Sequence, residues 1–223
     1  MTKRIPKLKR TAYHEAGHAV AYCALGRRFD YVDIVPDEHS EGRCVARRFF
    51  GERFEKAVAF GDSRAMKELE NRLMISLAGT VAEKLLTGRH NWIAAGISPT
   101  FKVTDRETGE VTGRRYLAAA GDYGLAYNFA LEIVQRRHDF HRIMDVSPES
   151  FDKEVGRYLD WHLAHTANLL RSRLWWPGVE ALAAELVEHG QVGYRRAREI
   201  VSEAYTTALG IEGPEKEQLP KLR

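Results

Sequence analysis

His14-Glu15-Ala16-Gly17-His18 constrains this chain more than any other stretch. The pentapeptide sits inside Thr11–Leu25. The small and apolar residues there (Ala12, Ala16, Ala19, Val20, Ala21, Ala24, Leu25) predict a helix that packs closely and is largely buried. Residues four apart on a helix share a face, with Cβ atoms about 5–6 Å apart. Two imidazoles so placed reach one zinc ion at roughly 2.0–2.1 Å each. Glu15, next to the first of them, is placed to act as an acid–base carboxylate for water at an open metal position. Two buried histidines beside a buried glutamate need a reason, because buried polar groups without partners are costly. A metal supplies one. A hydrogen-bonded structural cluster is the alternative.

The 223 residues suffice for one large domain or two small ones. A net charge of +3 is too small to argue for nucleic acid, and no recognised binding motif accompanies it. Lys3, Arg4, Lys7, Lys9 and Arg10 concentrate positive charge in residues 1–10, read as a solvated basic arm. No run of about 18 apolar residues occurs, which predicts no membrane span. No apolar segment follows the basic N-terminus, which argues against a secretory signal. The two cysteines, Cys23 and Cys44, form neither a C-x-x-C pair nor a disulfide framework. They read as small buried hydrophobes in a reducing, cytoplasmic setting.

Hydrophobic periodicity predicts a mainly α chain with a small antiparallel β-sheet. Tyr31–Val35 alternates and is β-branched, so it reads as a strand ended by Pro36, with a return strand over Arg43–Arg47 and an exposed edge. Helices are predicted over Asp62–Leu86, from Gly121-Asp122 to Arg137, and from Pro148 to Leu174 with Ser147 as its cap. Trp175-Trp176-Pro177-Gly178 breaks the chain before two more helices, Val179–Glu188 and Tyr194–Leu209, separated by Gly190. Phe101–Tyr116 reads as a hairpin around Glu107-Thr108-Gly109. The expected organisation is a basic arm (1–10), one domain (11–209) and a frayed tail (210–223).

A catalytic zinc takes three protein ligands and one open position. The candidates for the third are Asp122, Glu83, Glu132, His138, His141, His162 and His165. Asp122 stands between Gly121 and Gly124 at a helix start in an apolar run, where helix cap and metal ligand are equal alternatives. The chain resembles the peptidase domain of the FtsH-type AAA+ zinc metalloproteases, without their ATPase and transmembrane parts. Tyr13 to Ala19 resembles that family's zinc helix, and Val32-Asp33-Ile34-Val35-Pro36 its following strand. Leu77-Ala78-Gly79-Thr80-Val81-Ala82-Glu83 resembles its second core helix. Gly121-Asp122, with Ala126 and Ala130, resembles the segment carrying its third ligand. Ala181–Leu186 and Ala197–Ile200 resemble its C-terminal helices.

The resemblance implies a zincin-like H-E-x-x-H helix with a C-terminal helical bundle. It implies His14, His18 and Asp122 as zinc ligands and Glu15 as general base. Glu83 is either a group that orients a ligand or a plain helix salt bridge. Residues 89–115 look like an insertion relative to the family. No G-x-x-x-x-G-K-[ST] loop is present, so ATP-driven unfolding is expected only from a separate AAA+ ATPase. The expected activity is zinc-dependent hydrolysis of peptide bonds in unstructured or partner-delivered polypeptides, with substrate pairing on the Tyr31–Val35 edge. A homo-oligomeric ring is the family's habit. The rival reading is a catalytically silent, zinc-stabilised interaction module, against which Glu15 argues, since a structural zinc has no use for that carboxylate.

Overall fold

The computed structural model describes residues 5–38, 40–46, 52–88, 100–104, 111–116, 121–141 and 148–211. Seven helices and five short strands lie within them. The fold is mainly α with a small three-stranded antiparallel sheet. The Ser147 cap, Arg47, the Glu107-Thr108-Gly109 turn, residues 1–4 and the tail beyond Ile211 lie outside the described residues. Two compact units are formed, the first by residues 1–49, 77–90 and 164–223, the second by 50–76 and 91–163.

In the first unit, α1 (Lys7–Ala24) carries the pentapeptide and is buried from Ala12 to Cys23 except at His14. It begins inside the stretch read as a basic arm, so Lys7, Lys9 and Arg10 stand on its first turn. Its small residues let it pack against α6 (Trp176–His189) and α7 (Tyr194–Ala208). Ala12, Ala16, Ala19 and Val20 meet a core that includes Leu182, Leu186 and Val201. Pro177 falls in the first turn of α6, where its missing N–H breaks no helical bond, so the Trp-Trp-Pro-Gly run opens that helix.

The sheet has the order β2-β1-β5, built from β1 (Tyr31–Asp33), β2 (Arg43–Val45) and β5 (Gln191–Gly193). Tyr31 pairs with Val45 on one side and Gly193 on the other, and Val32 with Cys44 and Val192. The expected exposed edge at Tyr31–Val35 is therefore corrected. β1 is the central strand, paired along both sides, and it ends at Asp33. Beyond it, the Ile34 N–H donates to the Gly190 carbonyl at 2.9 Å. Among the described residues, β2 and β5 are the outer strands. β5 is three residues long, too short to show the period-2 pattern by which strands are recognised.

The C-terminal part of α3 (Ser63–Thr87) completes this unit from Leu77 onward. Gly17 of α1 lies directly against it. A Cβ at position 17 would stand 2.6 Å from both the Ala78 carbonyl oxygen and the Ala82 Cβ. Only a residue without a side chain permits this approach.

The second unit holds α2 (Glu52–Ala59), the first part of α3, a two-stranded ribbon of β3 (Thr100–Thr104) and β4 (Val111–Tyr116), α4 (Asp122–His141) and the first part of α5 (Pro148–Arg171). Asp62 caps α3 by accepting from the Arg64 and Ala65 N–H groups at 2.9 Å each. Leu69 and Leu73, Ala126, Ala130 and Ile133, and Val155 and Leu159 are buried at helical spacing. The Tyr158 hydroxyl donates to Glu70 at 2.9 Å, and the Lys67 ammonium stands 3.2 Å from the same carboxylate. Burial pushes the Glu70 carboxyl up, but these two hydrogen bonds, together with the charges of Lys67 and His162, outweigh it and hold the group below its ordinary value.

Two measurements check this packing. Gly17→Ala drives a methyl into the α3 backbone and is expected to cost about 1–3 kcal/mol, a Tm loss of several degrees in thermal unfolding. An unchanged Tm would mean that the two helices are farther apart. Cys23 is buried, and burial pushes its thiol up to about 12. It should resist a thiol reagent at pH 8 until the protein unfolds. Its raised folded value contributes stability that is complete below the unfolded thiol pKa, about 8.5, and is lost as pH rises toward 12.

Candidate metal centre

The pitch of α1 puts His14 and His18 on one face, and the structure brings their rings together. The two Nε2 atoms are 3.2 Å apart, with ring centroids at 4.9 Å and planes at 73°. Two ligands bound tetrahedrally at roughly 2.0–2.1 Å stand about 3.3 Å apart, so the pair is spaced as the edge of a zinc tetrahedron. A single N–H···N hydrogen bond fits the same distance.

The rings lie against α3. A Cβ at position 79 would fall 2.3 Å from His18 Nε2 and 2.6 Å from His14 Nε2. Residue 79 is glycine, in the interior of α3, where a glycine costs about 1 kcal/mol relative to alanine. Its missing side chain leaves the space that the two rings occupy. Two imidazole nitrogens at this spacing fit a small divalent metal of nitrogen preference.

Behind His14, the Glu83 carboxylate of α3 stands 3.8 Å from Nδ1 and 3.5 Å from Arg10 Nη1. Glu83 thus faces the ligand nitrogen's far side, the position from which a carboxylate sets tautomer and ring orientation. It also ties α1 to α3 through Arg10, so the two readings of Glu83 describe one side chain. Glu15 is 6% exposed. The turn between β1 and β2 covers it. A Cβ on Gly42 would stand 2.9 Å from Glu15 Cγ and 3.0 Å from Thr11 Cγ2.

Asp122 is the first residue of α4 in the second unit and is half-buried. The Leu125 N–H donates to the Gly121 carbonyl at 3.2 Å, which puts Gly121 at the cap and Asp122 in the first turn. A carboxylate is favoured there by the positive end of the helix. The other candidates have different engagements. Glu132 pairs with Arg136 at 2.8 Å, and His138 with Glu154 at 2.7 Å. His162 is buried with its ring edge-on to Tyr158 and Trp161, while His165 is exposed, so they do not act as a ligand pair. The His141 side chain lies outside the described residues.

Gly79, Gly42 and Arg10 were not singled out as site residues by the sequence. Gly79 carried a signal, an unexplained glycine in the interior of a long predicted helix. Gly42 and Arg10 carried none. Gly79→Ala should lose bound metal, measured by elemental analysis, while far-ultraviolet circular dichroism stays native. Glu83→Gln should weaken metal affinity about 10–100-fold in a chelator competition. Full metal binding by Gly79→Ala would refute the reading of that space.

No family model matches the chain. Among known proteins it is similar to the ATP-dependent zinc metalloprotease FtsH of Caulobacter vibrioides, 30% identical over 174 residues, which is 74% of this chain and 26% of that protein. It is 22% identical over 205 residues to the protein of the same name from Rickettsia conorii, covering 86% of this chain and 28% of the relative. A chloroplastic FTSH zinc metalloprotease from Capsicum annuum is 33% identical over 111 residues, 48% of this chain. Among the described residues, no helix is long and apolar enough to cross a membrane. The chain is thus FtsH-like, related to the zinc metalloproteases of that name over a segment that spans 26% and 28% of the two bacterial relatives.

Proposed function

We propose that this chain is a zinc metalloendopeptidase, with His14, His18 and Asp122 as metal ligands and Glu15 as general base. The observation that carries the reading is the 3.2 Å separation of the two Nε2 atoms, with both rings packed where a side chain at Gly79 would displace them. His14, His18 and Asp122 offer one ligand atom each, two imidazole nitrogens and a carboxylate oxygen. That donor set suits zinc and leaves one of four positions for water or substrate. Bound zinc would supply a lowered pKa for water and polarisation of the scissile carbonyl.

The remaining chemistry belongs to the chain. Glu15 takes the proton from the attacking water and delivers it to the leaving amine. Its burial beneath Gly42 holds the carboxylate in one place and keeps bulk water from competing for it. Glu83, behind His14, holds that imidazole with Nε2 turned toward the metal. The outer edge of β2 starts one residue after Gly42 and offers backbone groups on which an extended substrate can pair.

A chain recognised by its backbone must be unfolded, so the substrates are unstructured polypeptides or chains delivered by a separate AAA+ ATPase. The relatives are named ATP-dependent. These 223 residues hold no phosphate-binding loop, and we read the hydrolysis itself as ATP-independent and cytoplasmic.

The test is cleavage of casein by the zinc-loaded protein beside Glu15→Gln. The variant should retain zinc and lose activity by about 10²-fold or more. His14→Ala and Asp122→Asn should each lower zinc content. Cleavage that survives Glu15→Gln would overturn the mechanism. Zinc bound by a wild-type protein that cleaves nothing, with or without an ATPase partner, would favour the silent module.

A further inference from the structure

The first unit has a groove of about 540 Å³, walled by the N-terminal turns of α1 and by residues 34, 36–38, 40 and 41. This is the size of a small-ligand pocket, roughly 300–1,000 Å³. Thr11 lines it and also touches the Gly42 position that covers Glu15, so the groove opens one helical turn from the proposed general base. At 1.5 Å per residue, it extends from about 6 Å (Thr11) to about 12 Å (Lys7) from Glu15 along the helix.

Its walls are of two kinds. Leu8, Ile34 and Pro36 supply apolar surface, and Leu8 is 50% exposed with nothing covering half of its area. Asp37, Glu38 and Glu41 supply three carboxylates against the single ammonium of Lys7. Two of the three are balanced. Asp37 accepts from Arg43 Nη1 at 2.8 Å and from the Ser40 N–H at 2.8 Å, and Glu41 pairs with Lys7. Among the described residues no ion pair is made to Glu38.

We infer that this groove is a substrate subsite that takes a lysine or arginine side chain of an extended polypeptide. The inference rests on the peptidase reading. The occupant follows from complementarity. An aliphatic stem fits the Leu8–Ile34–Pro36 wall while a cation reaches Glu38, a division of labour that only Lys and Arg side chains offer. An extended chain advances about 3.3 Å per residue, so the basic residue lies two to four residues from the scissile bond. The outcome is a peptidase with a preference for basic segments, set by a turn rather than by the metal site.

The test separates this subsite from the peptidase reading. Glu15→Gln removes turnover, so peptide binding is read alone by fluorescence anisotropy of three labelled dodecapeptides. They are extended and identical, with no charged side chain apart from a central Lys or Glu, or a norleucine in its place. The Lys peptide should bind about fivefold more tightly than the Glu peptide, with the difference shrinking in salt. Adding Glu38→Lys, an exposed position outside the metal centre, should reverse the order. Equal binding of all three, no binding, or an order unmoved by Glu38→Lys overturns the subsite. Casein cleavage by the wild-type protein is the second arm. Cleavage without peptide discrimination leaves the peptidase and removes the subsite. Discrimination without cleavage leaves a basic-peptide site and removes the peptidase.

Discussion

The close approach of α1 to the C-terminal half of α3 is the constraint on which the metal centre depends. Gly17 lets the α1 backbone lie against the Ala78 carbonyl and Ala82, and Gly79 lets the His14 and His18 rings lie against α3. Had either been alanine, the helices would separate or the imidazoles would turn. Packed interiors have little slack, so a displacement of this kind is felt at once by the side chains held between them. The two glycines lower intrinsic helix stability. The apolar surface that α1 buries against α6 and α7 offsets that loss.

Glu83 reaches across from α3 to the far nitrogen of His14 and to Arg10, a contact that fixes one ring. Glu15 lies under a turn anchored by its own interactions. Arg43 grips Asp33 at 3.0 Å and Asp37 at 2.8 Å, and the 33–43 segment thereby keeps Gly42 over the Glu15 side chain.

Much of this was legible in the residues. The H-E-x-x-H spacing located both imidazoles, because a 3.6-residue period leaves no other way for His14 and His18 to face. Long apolar periodicity placed α3, α4 and α5, and Asp62 marked where α3 opens, whereas the Trp175–Gly178 run, read as a break, is where α6 opens. Strand arrangement was not legible. Alternation over Tyr31–Val35 reports that a strand exists, yet says nothing of which segments flank it. The second flank, Gln191–Gly193, comes from the far end of the chain and is too short to have a period. The groove was invisible for a similar reason. Leu8, Ile34 and Glu38 are ordinary residues in separate segments, and only folding puts them on one wall.

The most direct test of the account is X-ray absorption at the zinc edge on the purified, zinc-loaded protein. One zinc with two imidazole nitrogens and light oxygen donors at about 2.0–2.1 Å, and no sulfur, is the predicted result. A sulfur shell near 2.3 Å, or failure to retain one equivalent of zinc, would contradict the assignment of His14 and His18 as the core of a catalytic metal centre.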